Sequence, residues 1–155
     1  MLALNVAGML IAFIALIAIL DAGISKMGTL LNFSEPISFS SMMGVVCQPF
    51  AWLIGVPWDE AARVGRLLGE KIAINEFVAY VHLADLGHSL SDRTVIITSY
   101  ALCGFANFSS IGSQIGGIGG MATNQRAAIA RLGILAVVGG NLASILSASI
   151  AGLLF

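Results

Sequence analysis

From Thr94 to Gln125 the chain carries no charged side chain, yet the middle of this stretch reads Gly104-Phe105-Ala106-Asn107-Phe108-Ser109-Ser110-Ile111. An uncharged run of this length can cross a bilayer, whose hydrocarbon core takes about 20 helical residues. Hydrocarbon penalises every unpaired polar group, so an amide and two hydroxyls at that depth must face protein, water or a bound solute. The cluster reads as a solute site. It also constrains the backbone. In a regular helix Asn107 and Ser110 stand at i and i+3 and point the same way, which leaves Phe105 off their face. A broken or unwound helix brings the three together better, and the Gly104 and Ser-Ser flanks permit the break.

The rest of the chain suits the same environment. Hydrophobic residues make up 58% and charged residues 10%, against about 25% charged in soluble domains. So few charges cannot cover a water-facing surface, and the expected class is an all-α membrane protein. Residues 1–20 are uncharged and form the first expected membrane helix. A signal peptide would need a basic start and a cleavage site, and further spans follow here. The missing polar lead-in suggests a chain cut from a longer protein. Residues 21–37, with Lys26, Glu35 and several Gly and Ser, read as a surface loop. Within 36–54, Phe39, Met42, Met43, Val46, Phe50 and Leu53 recur at helical spacing over a piece too short to span. An amphipathic helix in the interface accounts for it, with Trp52 and Trp58 at headgroup depth. A short connecting helix packed on the bundle is the alternative.

In 57–90, two short apolar stretches, Ile72–Ile74 and Phe77–Leu83, flank Asn75-Glu76. Two half-helices meeting at a polar tip describe a re-entrant hairpin, tolerated at depth only where protein or a cavity covers it. Residues 92–125 are the broken membrane helix, and Gly112, Gly116 and Gly120 give it a small face for close helix packing. Residues 126–155 make up the final membrane helix unit: Met121–Arg131 reads as a turn with Arg126 and Arg131 at the membrane edge, and the uncharged span follows from Leu132 to Phe155. Asn141, Ser144 and Ser147 near one of its faces read as packing hydrogen bonds between helices.

Glu76 is the most informative ionisable residue. A carboxylate in a membrane segment is matched to a cation, protonated, or bonded to a polar solute. Lys71 is the nearest base, so a Lys71–Glu76 salt bridge is one reading. A solute-facing carboxylate is the favoured one, because an ionised carboxylate only accepts and can take two vicinal hydroxyls at once. Asn107 offers donors and an acceptor beside it, Ser110 a hydroxyl, and Phe105 an apolar face for a sugar or base. A net charge of −1 supplies no basic field for nucleic acid. Cys47 and Cys103 read as isolated packing residues, with no metal site. His82, Asp85 and His88 have no third ligand or nucleophile at a useful spacing, so no catalytic residue and no enzyme is expected.

Ile74-Asn75-Glu76-Phe77-Val78-Ala79-Tyr80, the Gly104–Ile111 run, Gly116-Gly117-Ile118-Gly119 and the Pro49–Trp58 segment resemble, in order, the concentrative nucleoside transporters. The resemblance implies a cation-coupled nucleoside symporter of elevator type, built from inverted repeats, trimeric, and multi-pass in the cell inner or plasma membrane. It casts the chain as a C-terminal half: last scaffold helix, interfacial helix, second re-entrant hairpin and final two membrane helices. By the same resemblance Glu76 holds ribose hydroxyls, and Phe105, Asn107 and Ser110 line the nucleoside site. The family's first hairpin, and the unwound helix that with it coordinates sodium, have no counterpart here. No cofactor is implied; the ligands of the coupling ion, sodium or proton, fall outside this chain. The expected partners are a nucleoside, the lipid bilayer, and the missing N-terminal half within a homotrimer. A different class remains open: a small membrane assembly subunit without transport, using the glycine face and the small residues of the last helix.

Overall fold

Four helices of this chain start at a side chain that satisfies their free backbone N–H groups, the usual device for ending a helix cleanly. Ser38 accepts from Ser41 N at 3.0 Å, Asn75 from Val78 N at 3.0 Å, Ser91 from Thr94 N at 3.4 Å and Asn107 from Ser110 N at 2.7 Å. These caps divide the computed structural model, which describes residues 2–30 and 38–155. All regular elements among the described residues are helical: α1 (Leu2–Leu30), α2 (Phe39–Leu53), α3 (Trp58–Ala73), α4 (Glu76–Leu86), α5 (Asp92–Leu102), α6 (Phe108–Met121) and α7 (Arg126–Leu154).

Two stretches, Ala3–Leu30 and Thr123–Leu154, are long and apolar enough to cross a membrane. Leu4, Ile11 and Ile19 on α1 and Leu135, Leu142 and Leu146 on α7 are exposed. Helices that are apolar on their outer faces are suited to lipid or to another helix.

Glycines set the spacing of the inner helices. α2 and α3 are joined by a turn through Gly55, whose φ of 103° lies in the left-handed region that favours glycine. The two helices then cross nearly backbone to backbone. A Cβ on Gly65 would lie 2.8 Å from Gln48 Cα, and one on Gly69 would lie 2.5 Å from Gly44 N. α1 takes the glycine face of α6, where a Cβ on Gly112 would stand 2.6 Å from Phe13 and one on Gly116 3.0 Å from Asn5 O. That face is therefore already covered within the chain. α7 lies across α5 and α6, with Gly140 against Ala106 and Gly152 against Ile97. The core between α2, α3, α5 and α7 contains Ala51, Val64, Leu67, Ile97, Leu102 and Ala148.

Polar clamps hold the ends. Arg93 donates to Gly55 O at 2.9 Å and to Gly152 O at 2.6 Å, tying α5 to the α2–α3 turn and to the end of α7. Glu60 accepts from Ser91 N at 2.9 Å, which fastens the first turn of α3 to the cap of α5.

Two boundaries differ from the sequence reading. Residues 21–30 are not a loop: α1 runs past residue 20 to Leu30. The polar residue that suggested the boundary, Asp21, accepts from Phe39 N at 2.5 Å and so serves the first turn of α2 from within α1. The remainder of that expected loop, 31–37 with Glu35, lies outside the described residues, as do positions 36 and 37 of the expected 36–54 helix. Arg126 and Arg131 lie inside α7 rather than in a turn before it. Arg126 folds back, and its Nε donates to Gly119 O at 2.8 Å near the end of α6.

The close α2–α3 crossing has a direct test. Gly69→Val should destabilise the fold by about 1–3 kcal/mol through forced overpacking. Gly139→Ala, where a Cβ meets nothing within 4 Å, should be neutral or mildly stabilising. Thermal unfolding in detergent compares the two.

Candidate functional site

Two interruptions, one between α3 and α4 and one between α5 and α6, lie against each other. Each ends one helix and starts another, leaving carbonyls unpaired on one side and N–H groups on the other. At the first, Asn75 caps α4 and Glu76 is its first residue, where the helix dipole favours a negative charge. At the second, Cys103–Asn107 are non-helical, and Asn107 caps α6 in a reciprocal capping box with Ser110.

Asn107 joins the two. Its Oδ1 accepts from Ser110 N and from Ser109 Oγ, both at 2.7 Å, and its Nδ2 donates to Glu76 Oε2 at 2.7 Å. Ser109 Oγ also reaches Ile74 O at 3.3 Å, and Ser110 Oγ donates to Asn107 O at 2.6 Å. Asn107 is fully buried and Ser110 nearly so, while Glu76 is half-buried. One carboxylate therefore sits at the N-terminus of α4 and is held by the cap of α6.

Of the four expected site residues, Glu76 and Asn107 touch directly, and Ser110 belongs to the same cap. Phe105 stands apart at 57% exposure. It meets Ser110 across a largely apolar cleft of about 310 Å³ between α6 and α7, lined also by Ala106, Ile111 and Gln114. Glu76 is not part of that lining. The Lys71–Glu76 salt bridge does not form: Lys71 Nζ donates instead to Ala101 O at 2.9 Å.

Of the packing hydrogen bonds expected on α7, those of Asn141 and Ser144 reach another segment, while Ser147 bonds Ala143 O of its own helix; what the sequence did not announce is the carbonyl each side chain serves. Asn141 on α7 donates to Ala106 O at 2.8 Å, and Tyr80 on α4 donates to Ser99 O at 2.7 Å. Both serve carbonyls beside the second interruption, and only their polarity within apolar helices hinted at it. Ser109, read as part of the polar run, turns out to bridge both interruptions. His82 pairs with Glu70 at 2.7 Å, and no cluster of three metal-ligating side chains occurs among the described residues.

Residues 1–152 match the family model for the Na+ dependent nucleoside transporter C-terminus. The chain belongs to this family. A Bacillus subtilis protein described as the uncharacterized transporter YutK is 47% identical over 151 residues, covering 97% of this chain and 37% of the relative. The Helicobacter pylori nucleoside permease NupC is 40% identical, covering 98% and 37%. The mouse sodium/nucleoside cotransporter 1 is 37% identical, covering 97% and 26%. The chain thus spans well under half the length of these relatives. Among solved structures, a substituted CNTnw in an outward-facing state superposes with a TM-score of 0.93 at 43% identity, over 99% of this chain and 39% of that one. CNTnw in an inward-facing substrate-bound state gives 0.78 at 44% identity, over 97% and 37%. The named relatives are transporters and permeases, not enzymes, and the all-helical fold is that of the CNTnw structures.

The two jobs of Asn107 separate by substitution. Asn107→Ser keeps a cap for α6 but loses the donor to Glu76, whereas Asn107→Ala loses both. The alanine variant of the whole protein should be less stable than the serine one by about 0.5–2 kcal/mol, the value of a helix cap. Equal unfolding temperatures in detergent would show that the cap contributes nothing here.

Proposed function

We propose that this chain is the C-terminal part of a cation-coupled nucleoside symporter, in which Glu76 accepts hydrogen bonds from ribose hydroxyls. The observation that carries the reading is the 2.7 Å contact between Asn107 Nδ2 and Glu76 Oε2. It sets an acceptor-only carboxylate beside an amide at the meeting of two helix interruptions. An ionised carboxylate has about four lone-pair sites, so Asn107 leaves room for a vicinal diol. Asn107 and Ser110 line the same site, and Phe105, exposed at the edge of the second interruption, offers its ring to the base. Kinship with the Helicobacter pylori nucleoside permease and the mouse sodium/nucleoside cotransporter supports nucleosides as the solute.

On this reading α3 and α4 form the re-entrant hairpin and α5 and α6 the broken membrane helix, both within one inverted repeat. Neighbouring apolar helices would cover the non-helical backbone, as hydrocarbon requires. Transport is of elevator type. The higher likeness to the outward-facing CNTnw than to the inward-facing one, over nearly the same residues, supports helices that shift against one another within this segment. The coupling ion, sodium or proton, is held by parts of the whole protein outside this chain. The assembly is a homotrimer in the inner or plasma membrane. The alternative of a small assembly subunit loses its free glycine face, since α1 occupies Gly112 and Gly116.

In the whole protein, Glu76→Gln should weaken uridine binding by about 1.5–3 kcal/mol, the value of a hydrogen bond to a charged group. Titration calorimetry measures it, and the loss should be much smaller for 2′,3′-dideoxyuridine, which lacks both hydroxyls. Unchanged uridine affinity would remove the ribose role. The segment alone should give no concentrative uridine uptake in reconstituted vesicles; saturable, ion-driven uptake would contradict its status as part of a larger site.

A further inference from the structure

Lys71 is the largest fully enclosed side chain of the described residues, 1% exposed, and the proposed transport chemistry gives it no part. Packing does not account for it, because a methionine would fill similar volume without a charge. An ammonium taken out of water is costly unless paired and hydrogen-bonded. Among the described residues no carboxylate pairs with it, and the carboxylate nearest in sequence on the site side, Glu76, is held by Asn107.

What Lys71 does meet is the carbonyl end of α5. Its Nζ donates to Ala101 O at 2.9 Å, in the last turn before the second interruption. A Cβ on Gly104 would lie 3.6 Å from the same nitrogen, so the cation also abuts the non-helical backbone. The last carbonyls of a helix lack intrahelical partners and carry its negative dipole end. A cation there meets the right partial charge. The other side chains that serve carbonyls around this interruption are neutral: Tyr80 on Ser99 O, Ser144 on Cys103 O and Asn141 on Ala106 O.

We propose that Lys71 is a positioning residue: a tethered internal cation that carries the carbonyl end of α5 and holds Cys103–Asn107 open, with Asn107 presented to Glu76. A free ion is then unnecessary at this interruption. The charge is reached through α3, so the hairpin that bears Glu76 also keeps the facing break in shape. The inference rests on reading Glu76 and Asn107 as site residues, but its structural half can be tested without that reading.

The experiment uses the whole protein with Lys71→Met and Lys71→Ala, and reads both amide hydrogen exchange and uridine affinity. Lys71→Met should raise exchange across 102–107 about tenfold or more, as expected for loss of a hydrogen bond from a charged group, and weaken uridine binding by a similar factor. Exchange in α1 should not change. In Lys71→Ala, propylammonium replaces the atoms removed and should restore both signals in a saturable way, while tetrapropylammonium, too bulky for the space, should not. Wild-type exchange and affinity in Lys71→Met would overturn the proposal, and so would a loss in Lys71→Ala that propylammonium cannot restore. If Lys71→Met does not accumulate, Lys71→Ala purified with propylammonium decides by the same recovery. Should the unsubstituted protein bind no nucleoside, the functional reading fails, and the exchange measurement still decides the role of Lys71.

Discussion

Backbone polar groups freed at the two helix interruptions must find partners among apolar helices, and most of the inner structure follows from that need. Each interruption exposes a carbonyl end and an amide end. The amide ends are met by Asn75 and Asn107, whose side chains cap α4 and α6. The carbonyl end of α5 is met by Lys71, Tyr80 and Cys103 N. Charges follow the dipoles: the anion Glu76 sits at an N-terminus and the cation Lys71 at a C-terminus. Neither charge needs the other as a direct partner, because each has a helix end of the opposite sign.

Close packing puts those partners within reach. In an apolar surrounding, helices gain little by hiding hydrophobic surface, so association depends on close contact and hydrogen bonds. Gly65 and Gly69 let α2 and α3 approach to backbone contact, which fixes α3 and the ammonium near its end. Gly140 lets α7 lie against Ala106, and one residue later Asn141 bonds Ala106 O. A larger residue at Gly140 would push Asn141 away from the carbonyl it serves. The small residues thus set the geometry of the second interruption without bonding to it themselves.

Much of this was legible in the sequence where one residue type had one physical use. Asn75-Glu76 between short apolar runs marked the α3–α4 interruption, and Gly104 with Ser109-Ser110 marked the second. The spacing of Gly112 and Gly116 marked a face that α1 indeed occupies. Legibility failed where a polar side chain serves a distant element. Asp21 looked like the end of a helix because its partner, Phe39 N, lies 18 positions on. The partner of Lys71 was not legible either: a salt bridge with Glu76 was only the lesser reading, and Ala101 O, 30 positions away, carries no signature in sequence. Phe105 shows neither burial nor a polar bond to the Asn107 cap; its ring is exposed and borders the cleft that Ser110 also lines, an orientation that spacing alone does not give.

The same network constrains how a solute could be recognised. Asn107 Oδ1 is taken by Ser110 N and Ser109 Oγ, and one N–H of its amide is taken by Glu76. Glu76 and Asn107 are thus already fixed by bonds within the chain. On the proposed reading, a diol would add to this arrangement rather than displace it, donating to the remaining lone pairs of Glu76 and accepting from the second N–H of Asn107. A solute lacking one hydroxyl would leave a half-buried carboxylate oxygen unpaired, a penalty that favours discrimination against the deoxy form. Because Asn107 also caps α6, any shift of the amide toward the solute pulls on that helix. Recognition and helix position then share one side chain, so a bound nucleoside would bias how α6 sits against α4.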